Sequence, residues 1–240
     1  MLTLNIGNIK YNDQMLKNII LIIVAHPDDE SFGMAGTIAR HADNGDVVYV
    51  LYLCDGVSSR NKKNKFEKNM RFLSFKKAGE ILGFNYLKSP NFPDNSMDAI
   101  SLLKIVQFIE KIKKNISPEI IYTHSFSDLN IDHQLTARAV ITAFRPEPKE
   151  IFKEIRLFET PSSTDFSYPS FSKPFEPNLY ISIGKYINKK INAINCYKEE
   201  IRPFPHSRSA NGIINLNKYR GNQVGLEYAE AFQVIKSIVR

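Results

Sequence analysis

Short aliphatic runs alternate with longer stretches of helical periodicity along most of the chain. Residues 18–25, NIILIIVA, form a nearly continuous run rich in Ile, which is typical of a strand buried on both faces. Residues 47–54 repeat this pattern. Weaker runs predict three further strands, at 84–88, 119–123 and 178–183.

Helical spacing of apolar residues fills the segments between these strands. We predict helices at 33–45, 66–83 (with Phe66, Met70, Leu73 and Ile81 along one apolar face) and 97–115, then a mostly helical segment at 185–240. Because strands and helices alternate, the fold class is predicted to be α/β. We expect a Rossmann-like, open, mostly parallel sheet with helices on both faces. It forms a single domain at 18–240, after an N-terminal extension at 1–17.

The segment 160–178 is rich in Ser, Pro and Phe. It predicts a long ordered loop rather than a linker, because its aromatic side chains are unfavourable in water. We expect this loop to help shape a substrate pocket.

Composition narrows the class of protein. A chain of 240 residues that is 43% hydrophobic can bury a sizeable core, and two cysteines exclude a disulfide framework or a thiolate zinc cluster. The polar opening without a secretory core predicts a cytoplasmic protein, and no apolar run is long enough for a membrane span. The net charge of +7 is spread over helical stretches, so no nucleic-acid partner is predicted.

Polar residues cluster where three of the predicted strands end, one of them at Asp55, and two of these clusters contain histidines. His26, Asp28 and Asp29 follow the first strand, and His133 follows the strand at 119–123. Two imidazoles and one carboxylate, from His26, Asp29 and His133, suit Zn²⁺ and leave a fourth position for water. Asp28 is then placed to act as general base. The alternative is that Asp28 and Asp29 cap a helix and His26 belongs to the core; the second cluster favours the metal.

The sequence AHPDDE at 25–30, with a later D-x-x-x-D-H segment at 128–133, resembles the PIG-L/LmbE-like family of zinc-dependent de-N-acetylases. The resemblance implies a Rossmann-like enzyme that removes acetyl groups from small N-acetylglucosamine-type sugars. It implies His26, Asp29 and His133 as zinc ligands and Asp28 as base. Arg71 and Asp94 become candidates for binding sugar hydroxyls; a surface arginine and an Asx turn are the alternatives. Arg71 heads an otherwise apolar helical row of Phe75, Ala78 and Leu82. The resemblance also leaves a homo-oligomer open.

The chain departs from this family at position 130. Many relatives carry a histidine where this chain has Asn130, and an amide can donate to an oxyanion but cannot protonate a leaving amine. We therefore expect Asp28 to act as the acid, with His124 assisting. Asp132 either orients a neighbouring group or caps a helix. His206, with the arginine that follows it, either closes the site or contacts an anionic part of the substrate.

Other functions share these features. An amidase acting on another N-acyl conjugate would keep the metal site, and a non-catalytic sugar- or nucleotide-binding protein would explain the missing histidine. The presence of Asp28 argues against a pure binding protein. Phosphoester hydrolysis on Mg²⁺ would call for more carboxylates and fewer imidazoles.

Overall fold

The computed structural model describes residues 17–59, 65–170 and 173–240; residues 1–16 of the predicted extension lie outside this part of the chain. Seven strands and six helices are found within it. In chain order they are β1 (Ile19–Val24), α1 (Asp29–Asp43), β2 (Val47–Tyr52), α2 (Lys65–Leu82), β3 (Asn85–Tyr86), α3 (Leu102–Ile116), β4 (Ile120–His124), α4 (Ile131–Ala143), β5 (Glu154–Phe158), β6 (Leu179–Ser182), α5 (Ile187–Ile194), α6 (Ala210–Asn222) and β7 (Ala229–Ser237).

The strands form one sheet in the order β3-β2-β1-β4-β5-β7-β6. The first five strands pair in parallel, whereas β7 runs antiparallel to both β5 and β6. The predicted α/β fold with a mostly parallel sheet is therefore confirmed. The chain runs outward in opposite directions from β1 and β4, and ligands in open α/β sheets bind beyond the carboxyl ends of such a pair.

Burial on both faces explains the aliphatic run of β1. Ile20, Ile22 and Val24 belong to one apolar cluster, which also holds residues of α1, α2 and α5. Leu21 and Ile23 point to the other face, into a cluster with residues of α3 and α4. Helices therefore cover both faces of the sheet, as predicted.

Of the two apolar rows predicted on the helix α2, the one headed by Arg71 faces the core. Phe66, Met70 and Leu73 are 70%, 47% and 47% exposed, so these three residues of the other row do not. Arg71 and Phe75 lie on the buried face instead. An arginine can occupy a buried row only when carboxylates or carbonyls satisfy its guanidinium, and Arg71 has such partners at the site described below.

The C-terminal segment ends in a strand, so the prediction of mostly helix at 185–240 is wrong for β7. Its Glu230 is buried, pairs with Lys190 Nζ at 2.7 Å, and accepts the N–H groups of Gly36 at 3.0 Å and Thr37 at 2.6 Å. Pairing with β5 and β6 outweighs the helix preference of the Ala and Glu residues in β7. The strand β5 was not predicted either.

Cys54 and Cys196 are both free thiols. Among the helices that the structure describes, none combines the length and the apolar character needed to cross a membrane.

Candidate active site

Polar side chains converge where β1 and β4 end, at the carboxyl edge of the sheet. His26 and Asp28 follow β1, Asp29 begins α1, and His133 lies in the first turn of α4. They border a cleft of about 450 Å³, counting its open mouth. Its lining residues are His26, Asp28, Asp29, Gly56, Arg71, Asp94, Asn95, Asn130, His133, Ser162, Ser163, Glu200 and Arg208.

His26, Asp29 and His133 bring three metal-binding groups together in the wall of this cleft. His26 Nδ1 lies 3.3 Å from His133 Nε2 and 3.4 Å from Asp29 Oδ2, and Asp29 Oδ1 lies 3.3 Å from His133 Nε2. Ligand atoms about 2 Å from a tetrahedral Zn²⁺ are roughly 3.3 Å apart. Asp29 Oδ1 is buried and accepts no hydrogen bond from the described residues. The three residues therefore fit a zinc ion.

A carboxylate lies beside the second ring nitrogen of each histidine. His26 Nε2 is 3.2 Å from both Asp132 Oδ2 and Asp94 Oδ1, and His133 Nδ1 is 3.0 Å from Asp128 Oδ2. Carboxylates in this position fix the ring orientation and leave the opposite nitrogen free to bind a metal.

The electrostatics of the cluster favour a positive charge at its centre. Burial lowers the pKa of His26, but hydrogen bonds to carboxylates, first Asp132, raise it well above its usual value. Burial likewise opposes protonation of His133, yet Asp128 raises its pKa to about 9. Burial alone would raise the pKa of Asp29, and the charge of His133 holds it well below its usual range. A proton or a metal cation supplies the positive charge that these groups favour.

Asp28 lies beside this cluster in an unusual backbone conformation. Its φ is 151°, which few residues other than glycine adopt, and its side chain makes no capping hydrogen bond to α1. Its Oδ2 lies 3.2 Å from Arg71 Nη1 and 3.3 Å from Arg208 Nη1. Burial raises the pKa of Asp28, and the charge of Arg71 opposes this rise. Asp28 is thus next to a candidate ligand, where a base is predicted.

Arg71 and Asp94 both line the cleft, and both have protein partners there. Arg71 donates to the carbonyl of Pro27 at 3.1 Å and pairs closely with Glu200. Asp94 Oδ2 accepts hydrogen bonds from the N–H and hydroxyl of Ser59 at 2.9 and 2.6 Å. Burial would raise the pKa of Asp94, but its hydrogen bonds lower it to about 2. Their contacts with a sugar stay a prediction.

Asn130 caps α4 rather than Asp132, which the sequence left as an alternative cap. Its Oδ1 accepts the N–H of Asp132 at 2.8 Å, and its Nδ2 donates to Asn95 Oδ1 at 3.2 Å. The carboxylate of Asp132 accepts the N–H groups of Asn95 at 2.7 Å and Met97 at 3.1 Å. Because it also faces His26, Asp132 is placed to orient that ring.

His124 and His206 do not line the cleft. His124 is fully buried, its Nε2 accepts the N–H of Ala25 at 2.9 Å, and burial lowers its pKa to about 4. The ring of His206 packs against Phe166, and its Nδ1 accepts the N–H of Arg208 at 3.0 Å. The geometry therefore favours neither His124 as a proton donor nor His206 as a substrate contact.

The loop at 160–178 reaches the cleft through Ser162 and Ser163, although residues 171–172 lie outside the described part. Ser163 Oγ donates to Asp128, which faces His133. Phe166 and Tyr168 are 47% and 62% exposed, so the expected burial of the loop's aromatic residues is wrong for these two.

The sequence prediction assigned no role to Asp128 or Glu200 and mentioned Arg208 only beside His206. Asp128 had a usable signal, since it opens the D-x-x-x-D-H segment. Glu200 and Arg208 lie in the irregular segment between α5 and α6, where no periodicity indicates which way a side chain points.

Sequence comparisons match the chain to known proteins. The PIG-L family model, described as GlcNAc-PI de-N-acetylase, matches residues 21–144. A probable N-acetyl-alpha-D-glucosaminyl L-malate deacetylase 2 of Bacillus cereus is 26% identical over 190 residues, which are 75% of this chain and 83% of that protein. The diacetylchitobiose deacetylase of Thermococcus kodakarensis is 24% identical over 229 residues, or 91% of this chain and 84% of that protein.

The chain also resembles in structure a protein whose reaction is not deacetylation. The 4-carboxy-2-hydroxymuconate hydratase of Pseudomonas putida KT2440 superposes with a TM-score of 0.70 at 21% identity, covering 94% of this chain and 98% of that one. Such a likeness shows the fold alone. The family model, however, spans slightly more than half of the 240 residues and includes His26, Asp28, Asp29 and His133. As the AHPDDE segment predicts, the chain belongs to the PIG-L family.

Proposed function

We propose that this chain is a zinc-dependent hydrolase that removes the N-acetyl group from an N-acetylglucosamine-type amino sugar. The observation that carries the proposal is the cluster of His26, Asp29 and His133 with Asp28 beside it in one cleft. The names of the two deacetylase relatives, one acting on a malate conjugate and one on diacetylchitobiose, support an amino-sugar substrate.

His26, Asp29 and His133 are the residues that would hold the metal. When bound, Zn²⁺ supplies a Lewis acid that lowers the pKa of water to roughly 7. Asp28 takes one proton from the attacking water while the oxygen of that water bonds to the acetyl carbon. Burial raises the pKa of this carboxyl, which favours a group that both accepts and returns a proton.

The same carboxyl returns the proton to the departing nitrogen, so that acetate and a free amine are formed. We assign this step to Asp28 because the alternatives are poorly placed. His124 is buried and already accepts a backbone N–H through Nε2. Asn130 has an amide, which does not give up a proton to an amine at neutral pH.

Polar groups around the cleft suit a sugar. Arg71, Asp94 and Asn95 offer donors and acceptors for hydroxyl groups. Asn130 Nδ2 is the candidate donor to the developing oxyanion, in exchange for its bond to Asn95.

Acetate release from a defined panel tests the proposal. The panel contains N-acetylglucosamine, diacetylchitobiose, N-acetylglucosaminyl malate and an N-acetylated amino acid as a non-sugar amide. We expect acetate from at least one sugar, loss of turnover after chelation, and recovery with added zinc. Acetate from the amino acid alone would indicate an amidase, and acetate from none would favour a binding protein.

A further inference from the structure

Four charged side chains alternate around one edge of the cleft and form a closed ring. Arg71 Nη1 and Arg208 Nη1 lie 3.2 and 3.3 Å from Asp28 Oδ2. Both guanidinium groups also pair with Glu200, Arg208 at 3.2 Å and Arg71 more closely. Each carboxylate therefore pairs with both arginines. The two positive and two negative charges, all largely buried, compensate one another.

The ring uses one carboxylate oxygen of Asp28 and leaves the other open. Both arginine contacts end on Oδ2. Among the described residues, no hydrogen bond or ion pair to Oδ1 accompanies these two contacts, and Asp28 lines the cleft. Oδ1 is therefore the carboxylate oxygen that the arginines leave available to water and substrate.

Arg208 is itself fixed by contacts outside the ring. Its guanidinium lies over the ring of Phe32, 4.7 Å from the centroid, and its Nε donates to the carbonyl of Pro161 at 3.3 Å. Its backbone N–H donates to His206 Nδ1 at 3.0 Å. Arg208 thus joins α1, the loop after β5 and the segment before α6 around the carboxylate of Asp28.

We propose that Arg208, together with Glu200, is a positioning residue that holds Asp28 Oδ2 so that Oδ1 faces the cleft. This inference rests on the proposed function, because it takes Asp28 as the proton-transferring group. Contacts of this kind suit the position, because a φ of 151° is sparsely populated by non-glycine residues and persists only where the surrounding structure holds the residue. Both proposed residues lie beyond the segment that the family model matches.

Steady-state kinetics of Arg208→Ala and Arg208→Lys test the proposal, with zinc content and thermal melting recorded for each variant. We expect kcat of Arg208→Ala to fall about 10- to 100-fold, as a misdirected catalytic group predicts, with KM within about twofold of the wild-type value. Arg208→Lys should retain more kcat because it keeps the charge, and added guanidinium ion should restore part of kcat in Arg208→Ala. Arg202→Ala, an exposed arginine of the same segment, is the matched control and should behave like the wild type.

An unchanged kcat in Arg208→Ala overturns the proposal, and so does a rise in KM alone, which would place Arg208 on the substrate. If Arg208→Ala does not fold, Glu200→Gln replaces it as the test. That variant keeps the side-chain shape and must lower kcat at unchanged KM, or the proposal fails. Failure of the proposed function looks different, because the wild-type protein would then release no acetate from any sugar.

Discussion

At the residue scale, the candidate metal site consists of histidines whose two ring nitrogens have separate tasks. His133 directs Nε2 towards Asp29 and Nδ1 towards Asp128, which lies 3.0 Å away. The negative charge of Asp128 keeps the proton on Nδ1 and so leaves Nε2 as an electron-pair donor.

Replacing Asp128 by Asn removes this charge while keeping the side-chain shape. We expect zinc affinity to fall about 10- to 100-fold, because the ring loses its fixed orientation and part of its basicity. Competition with a chromogenic chelator measures the affinity, and Asp98→Asn, on an exposed carboxylate, serves as control. Equal affinities in the two variants would contradict the orienting role of Asp128.

His41, which lies away from the cleft, stabilises the fold. Its Nδ1 donates to Asp46 Oδ2 at 2.6 Å, and its Nε2 accepts from the hydroxyl of Tyr122 at 2.9 Å, since that hydroxyl itself accepts from Arg156. This arrangement fits a neutral ring. Burial lowers the pKa of His41, although Asp46 raises it.

This lowered pKa predicts a pH dependence of stability. The pKa of His41 in the folded protein lies below its unfolded value near 6.5. The stability that neutral His41 contributes is therefore fully present above pH 6.5 and is lost as the pH falls through the folded pKa. The free energy of unfolding should therefore decrease more in the wild type than in His41→Gln between about pH 7 and pH 5. Urea unfolding at several pH values measures this difference, and parallel curves would refute it.

At the scale of elements, the sequence predicted the strands that consist mainly of aliphatic residues. The strands β1, β2 and β4 are aliphatic and buried, so periodicity located them. It did not locate β7, because the partners of its buried Glu230 lie far away in the chain: Lys190, 40 residues earlier, and the N–H groups of Gly36 and Thr37. For α2 the sequence offered two apolar rows and did not decide between them, since the row of Arg71 is buried through a partner 129 residues away, Glu200.

The pair of Lys190 and Glu230 joins α5, α1 and β7, so its loss should destabilise the whole fold. Lys190 Nζ also donates to the carbonyl of Phe32 at 3.0 Å. We expect Lys190→Met to lower the free energy of unfolding by about 3 kcal/mol, because Glu230 would stay buried without its partner. The control is Lys189→Met, at an exposed neighbouring position, and an equal small loss in both variants would show that the pair contributes little.

At the scale of the whole molecule, the candidate site joins distant parts of the chain. The three candidate ligands and Asp28 lie together, as the strand-end pattern predicted, because the carboxyl ends of parallel strands share one edge of the sheet. Glu200 and Arg208 come from a segment without regular structure, and no sequence pattern indicated their direction. The cytoplasmic location and a homo-oligomeric state stay predictions.

A metal that joins the ends of β1 and β4 should stabilise the entire fold. Zinc at 1,000 times its Kd would contribute about 4 kcal/mol, which corresponds to a rise in Tm of roughly 10 °C for a chain of this length. We expect this rise in the wild type after chelation and re-addition of zinc, and its absence in His133→Ala. His206→Ala, outside the cluster, should keep it. A rise of the same size in His133→Ala would mean that zinc binds elsewhere.

Zinc content and acetate release, measured in parallel for the wild type and Asp28→Asn, test the metal site and the role of Asp28 most directly. We expect about one zinc per chain in both proteins, with acetate release about 10³-fold slower in the variant. Turnover by Asp28→Asn at the wild-type rate would contradict the role of Asp28, and the absence of zinc from both proteins would contradict the metal site itself.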